Sequence, residues 1–176
     1  MLKILPYPHP FLRHCPAKVQ AFDQSLATTV EHLFKLLYAV KGWGLAANQV
    51  GLDLKLAVID ISEEQNTPLC VVNPEIIHAE GQIASEEDCL SFPGTYVNIM
   101  RHKQIQVQYQ DLMGASQVLN VSGMLSVCLQ HEIDHLNGVL MIDYLSKLKR
   151  ERLLKKFEKM QHRGQPCADH QCDHHH

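Results

Sequence analysis

Two histidines four residues apart, with a glutamate beside the first, constrain this chain more than any other feature. The run His131-Glu132-Ile133-Asp134-His135 lies in a stretch with helical apolar spacing. Residues i and i+4 of a helix share one face, one above the other. Such a pair can grip one metal ion, and Glu132 can reach water held there. The fold must then supply an inward-facing helix, a further ligand from elsewhere in the chain and one open coordination position. The reaction class that follows is metal-assisted hydrolysis.

The spacing predicts that helix from about Gly123 to Asn137. Ser122 is its expected cap, and Asn137-Gly138 is its stop. Met124, Cys128, His131 and His135 follow one another at 4-3-4 spacing, so both imidazoles continue an expected inward line. An earlier helix is expected from about Ser25 to Ala39, capped by Asp23 and packing through Leu26, Val30, Leu33 and Leu37.

Pro6, Pro8, Pro10 and Pro16 predict an extended arm over residues 1–20. Leu56–Ile61 is a buried-strand candidate. Cys70–Asn73 is another, expected to stop at Pro74. Further strands are expected at Ile76–Ala84, Ile105–Tyr109 and Gln117–Val121, with a turn at Asp111–Gly114. Residues 85–100 read as loop-rich. A last helix is expected from about Ser146 to His162, with Leu153, Phe157 and Met160 on one face.

The bulk properties exclude several classes. A net charge of −3 over 176 residues leaves no global basic footprint for DNA. No stretch approaches the roughly 20 apolar residues that span a membrane. The N-terminal segment carries no secretory h-region, and the six cysteines are irregularly spaced, so a cytoplasmic protein with free thiols is expected. Residues 1–163 are expected to form a single catalytic domain. Residues 164–176 are expected to be a disordered tail, whose terminal histidines are consistent with part of a purification tag.

The third ligand is the open question. Glu151 and Glu158 belong to a charged outer helix, and His162 and His170 lie in or near the tail. Cys89, in Glu87-Asp88-Cys89-Leu90-Ser91, sits between turn-forming segments, and a thiolate there would complete a Cys-His-His site. Cys128 is the other thiol to weigh, although its place on the helix favours packed core. The segment Gly42-Trp43-Gly44-Leu45-Ala46-Ala47-Asn48-Gln49-Val50-Gly51 is rich in small residues that let backbone approach a ligand.

Taken together and in order, these segments resemble the three motifs of the peptide deformylases: Gly42-x-Gly44-Leu45-Ala46-Ala47-x-Gln49, Glu87-x-Cys89-Leu90-Ser91 and Gln130-His131-Glu132-x-Asp134-His135. The flanking Leu136, Asn137, Gly138 and Val139 fit as well, and the resemblance covers residues 2–160. It implies an α+β fold in which antiparallel β-sheets surround a central helix bearing the His-Glu-x-x-His motif, with a C-terminal helix besides. It implies removal of the formyl group from the N-terminal formyl-methionine of nascent polypeptides.

By motif matching, the resemblance makes Cys89, His131 and His135 the metal ligands and Glu132 the general base and acid. Gln49 and the backbone N–H of Leu90 would polarise the formyl oxygen. One divalent metal ion per chain is implied, Fe2+ in the cell, with Zn2+, Ni2+ or Co2+ able to replace it in a purified sample. Trp43, Gly44, Leu125, Val127 and Cys128 match the family's substrate-binding positions, and Arg101 and Asp134 are matched as a supporting pair behind the ligands. The implied partners are N-formyl-methionyl peptides and the ribosome near its exit tunnel, through the last helix. Seven Lys/Arg against two Glu fall within residues 147–160 of that helix. Deleting residues from Lys147 is expected to spare turnover of free peptides.

One position departs from the pattern. The family usually has Gly before the cysteine, where this chain has Asp88. Two other readings of the metal motif are a zinc peptidase of the His-Glu-x-x-His kind and a structural Cys/His zinc protein.

Overall fold

The computed structural model describes residues 2–163; the expected tail, 164–176, lies outside the described residues. Helix α1 (Gln24–Ala39) begins where the sequence places it, with the Asp23 carboxylate accepting the Leu26 N–H at 3.0 Å. Its stripe Leu26, Val30, Leu33 and Leu37 is buried. Two short strands, β1 (Gly44–Ala46) and β2 (Leu56–Ile59), and the longer β3 (Leu69–Glu80) come next. With β6 (Gln104–Gln110) and β7 (Ser116–Ser122) they form one antiparallel sheet in the order β1-β2-β3-β6-β7.

Alternation along these strands explains why Leu56–Ile59 is apolar throughout. Leu45, Leu56, Val58 and Val72 face α1, whereas Ala46, Ala57, Ile59 and Val71 face the second helix, α2 (Gly123–Leu136). A strand covered on both faces has no solvated side to mark with polar residues. Further along the sheet, Ile105, Val107 and Val121 continue the α2 face.

Strands β4 (Ile83–Asp88) and β5 (Tyr96–Arg101) pair antiparallel as a separate two-stranded sheet. Helix α2 is therefore held between two sheets. Leu129 and Ile133 pack on the large one, and ionic groups of β4 and β5 meet it on the other side. Helix α3 (Lys147–Arg163) closes the β4–β5 side, where Phe157 packs with Phe92 and Tyr7. The expected α+β architecture, with antiparallel sheets around the helix bearing the histidines and a C-terminal helix, is what the chain adopts.

Several local expectations are corrected. Pro74 does not end a strand. β3 runs through it, and its register against β6 shifts between Val72 and Glu75 and again between Ile76 and His78. Asn73 takes φ 51° there, and its side chain binds the backbone of Val19 through Oδ1 at 2.8 Å and Nδ2 at 2.9 Å. A bulge is where a strand tolerates the missing proline N–H. Residues 85–100 are not chiefly loop, since β4 and β5 occupy most of them. Met124 starts the expected inward stripe but is exposed, and Ser122 stands at the N-cap without a side-chain capping bond. Deleting residues from Lys147 would strip the buried Phe157 from the core, so truncation is no clean test of that helix.

Candidate metal centre and active site

Helix α2 places His131 and His135 on one face, and β4 delivers Cys89 opposite them. The His135 Nε2 lies 3.2 Å from His131 Nε2 and 3.3 Å from Cys89 Sγ. Ligand atoms of all three lie within 4.8 Å of one another. Tetrahedral bonds of about 2.0–2.3 Å leave ligand atoms about 3.3–3.6 Å apart, so the donor set fits one small divalent cation. Three donors leave a position open.

Other groups orient these ligands. His131 Nδ1 is 2.8 Å from Glu87 Oε2, which turns Nε2 inward. Glu87 is in turn gripped by both sides of Arg101: Nε donates to Oε1 at 2.6 Å and Nη2 to Oε2 at 2.8 Å. Arg101 Nη1 also donates to Asp134 Oδ2 at 2.6 Å and to Tyr144 Oη at 3.0 Å. The Tyr144 hydroxyl donates to the same Asp134 oxygen at 2.7 Å. Burial alone would raise the Glu87 carboxyl, but Arg101 and His131 outweigh it and hold Glu87 below its ordinary value. Burial, with His131 and Arg101 adding to it, keeps His135 well below its own. A neutral imidazole is what a metal requires. Burial lowers His131 too, but its bonds to Cys89 and Glu87 outweigh burial and hold it well above its ordinary value, so a cation there would bind in exchange for a proton.

Glu132 is buried on the same turn. Its carboxyl is pushed up to about 7, chiefly by burial, which suits a group that takes and returns a proton near neutrality. A cation alongside would favour its ionised form. Burial and the Glu132 and Glu87 carboxylates push Cys128 well above the ordinary thiol value, so it stays a packed thiol beside the site.

Gln49 sits in the 3-10 turn Ala47–Val50 that follows β1. Its Oε1 accepts the Ala46 N–H at 2.9 Å, which fixes the amide with Nε2 toward the site. Nε2 lies 3.2 Å from Ser91 Oγ and 3.6 Å from Cys89 Sγ. Leu90 follows Cys89 in the turn after β4, and with Gln49, Cys89 and His131 it lines a cavity of about 400 Å³.

Trp43, Gly44, Val127 and Cys128 also line that cavity, with His131 and Glu132 at its floor. Leu125 does not; it packs against the cluster between α2 and the large sheet. Successive helical residues turn by about 100°, so Met124, Val127, Cys128 and His131 look into the cavity while Leu125, Leu129 and Ile133 look at the sheet. Met124 thus takes the place expected of Leu125. Trp43 stands at the mouth, 53% exposed. Tyr144, the contact of Ser91 with Gln49 and the orienting bonds of Glu87 are the parts sequence reasoning does not reach. Glu87 and Ser91 carry a signal only as members of the second motif, and Tyr144 carries none.

Among the described residues no helix is long and apolar enough to cross a membrane. The family model for polypeptide deformylase matches residues 1–151. A curated peptide deformylase of Xylella fastidiosa strain 9a5c is 43% identical over 167 residues, covering 93% of this chain and 98% of that protein. One of Nitrosococcus oceani is 44% identical over 161 residues, covering 92% and 96%. Among solved structures, a peptide deformylase from Legionella pneumophila superposes with a TM-score of 0.85 at 42% identity, covering 94% of this chain and 99% of that one. Another, from Ehrlichia chaffeensis in complex with actinonin, gives 0.85 at 38% identity, covering 91% and 97%.

Proposed function

This chain belongs to the polypeptide deformylase family and removes the N-terminal formyl group from nascent polypeptides, and we propose that it does so with one cation held by Cys89, His131 and His135. The observation that carries this reading is the convergence of one thiol and two imidazoles beside a buried carboxylate. The cation, when bound, supplies Lewis-acid activation of water and of the formyl carbonyl.

The protein's own groups do the rest. Glu132 takes a proton from the attacking water and returns it to the departing amine nitrogen. As the C–N bond breaks, formate and a free N-terminal methionine result. Gln49 Nε2 and the Leu90 N–H donate to the formyl oxygen as it gains charge, and donors fixed in advance need no reorganisation at that moment. The bond from Ala46 to Gln49 Oε1 supplies that fixity. Glu87, clamped by Arg101, keeps the His131 ring in the tautomer that frees Nε2. Arg101 is itself steadied by Asp134.

The methionine side chain enters the cavity between Trp43, Gly44, Val127 and Cys128. The cellular metal is Fe2+, with Zn2+, Ni2+ or Co2+ as replacements in purified protein. The site of action is the cytoplasm, at the ribosome, to which the exposed lysines of α3 dock. Residues 1–163 act as one catalytic domain. Neither a structural zinc site nor a general zinc peptidase is favoured. The former would close the fourth position, and the latter draws its usual third ligand from downstream of the second histidine, whereas Cys89 lies upstream.

Anaerobic release of formate from formyl-Met-Ala-Ser, with metal analysis, tests the reading. The wild-type protein is expected to turn the peptide over with one metal per chain. Glu132→Ala is expected to keep its metal and lose about 10²–10⁴-fold in kcat. An active Glu132→Ala variant would overturn the proposal.

A further inference from the structure

Asn48 lies between Ala47 and Gln49 and has no exposed surface. Its Nδ2 donates twice, to the backbone carbonyl of His135 at 2.6 Å and to that of His14 at 3.1 Å. The His135 carbonyl belongs to the last turn of α2 and also accepts the Gly138 N–H at 3.0 Å. The short bond from Asn48 is therefore an extra one, made by a side chain from outside the helix.

Only a short amide can make both bonds. A carboxylate has no donor and would set charge against two carbonyl oxygens, and a hydroxyl has one donor. Neighbouring Ala46, Ala47 and Val50 are all buried and apolar, so packing alone calls for no polar side chain here. The next residue is Gln49, whose Oε1 is tied to Ala46 and whose Nε2 points at Cys89. One peptide bond thus joins the side chain that holds the His135 turn to the side chain that faces the substrate carbonyl.

We infer that Asn48 is a positioning residue: its amide pins the end of α2 to the Gln49 turn, and so sets His135 Nε2 relative to Cys89 and the Gln49 donor. The inference rests on the metal-centre reading above. Without the pin, the last turn of α2 keeps its own backbone bonds but is free to slide against the 3-10 turn. His135 then meets the cation less well, and the Gln49 amide no longer keeps its distance from it. Supporting groups behind a metal ligand set affinity by about 10–100-fold.

The test compares full-length, cobalt-loaded wild type with Asn48→Ala and Asn48→Thr, the latter keeping one donor. Metal release to a chelator is followed below every protein's melting temperature, beside the cobalt visible spectrum and the kcat and KM for formyl-Met-Ala-Ser. Asn48→Ala is expected to release cobalt about tenfold faster or more, to shift the visible bands and to lose kcat with KM little changed. Asn48→Thr is expected to fall between. Release, spectrum and kcat matching wild type would overturn the inference, whatever the change in melting temperature. If Asn48→Ala does not fold, Asn48→Thr decides on the same readouts. A wild-type protein that takes up no cobalt contradicts the metal-centre reading itself, and this inference with it.

Discussion

The carboxylate of Glu132 lies against the α-carbon of Gly44. A Cβ at residue 44 would stand 2.8 Å from Glu132 Cδ and 2.9 Å from its Cγ. Glycine is therefore needed here for close approach, since the Glu132 carboxylate, the proposed general base, occupies the space a side chain would fill. Gly44→Ala is expected to push the carboxylate aside and lower kcat/KM by about 10–100-fold, part of what a positioned base contributes. Metal content should stay at one per chain, because Cys89, His131 and His135 are untouched. Formate-release kinetics with metal analysis check this, and unchanged activity would count against the assigned base.

The Glu87–Arg101 pair makes stability depend on acid. Burial raises the Glu87 carboxyl, but Arg101 and His131 bring it below the ordinary value of 4.5. A depressed folded-state value means stability that is fully present above the unfolded value and is lost as pH falls through the folded one. The metal-free protein should thus melt progressively lower as pH drops below about 4.5. Glu87→Gln should melt lower near neutrality, since breaking a buried pair costs about 3–5 kcal/mol, and should show a flatter acid dependence. Thermal melts from pH 7 to pH 3 decide it; parallel curves for the two proteins would contradict the assignment.

Asp88 sits at the end of β4, exposed, where that strand borders the cavity. It adds a charge and bulk where the family usually has glycine. Asp88→Gly is expected to raise kcat/KM on formyl-Met peptides severalfold, about what 1 kcal/mol of an exposed charge is worth. Part of the gain should shrink as salt screens the charge in the parent protein. Kinetics at two ionic strengths measure both effects, and no gain, or a loss, would refute the expectation.

Much of this was legible in the residues themselves, and the exceptions have physical causes. The spacing of His131 and His135 places them on a helix without further help. Leu26, Val30, Leu33 and Leu37 give α1 away in the same manner. β4 carries no strand signal because its buried positions are Ser85 and Glu87, and in β5 the buried Val97 and Ile99 are masked by the exposed apolar Tyr96 and Met100. Buried polar groups and exposed apolar ones both erase the alternation that marks a half-buried strand. The stop that Pro74 predicts for β3 does not occur because a bulge there is held by tertiary partners, Val19 and Gln110 on Asn73, which sequence spacing does not show. Asn48 is an unassigned position within the small-residue segment 42–51, and only its reach to the His135 carbonyl sets it apart.

The basic helix calls for a charge test in place of a truncation. Lys149, Lys156 and Lys159 are exposed, whereas Phe157 is buried against Phe92. Replacing those three lysines by glutamate should leave turnover of free formyl peptides within about twofold, since the charges are surface groups outside the cavity. Ribosome co-sedimentation should weaken, and more so at low salt. Unchanged co-sedimentation would remove α3 from the account.

X-ray absorption at the metal edge tests the central claim most directly. The protein loaded with one cobalt or iron per chain should show one sulfur scatterer at about 2.3 Å and two imidazole nitrogens at about 2.0–2.1 Å, with a lighter, exchangeable atom completing the shell. Cys89→Ala should lose the sulfur. A spectrum without sulfur in the parent protein, or one with four protein ligands and no exchangeable position, would contradict the account.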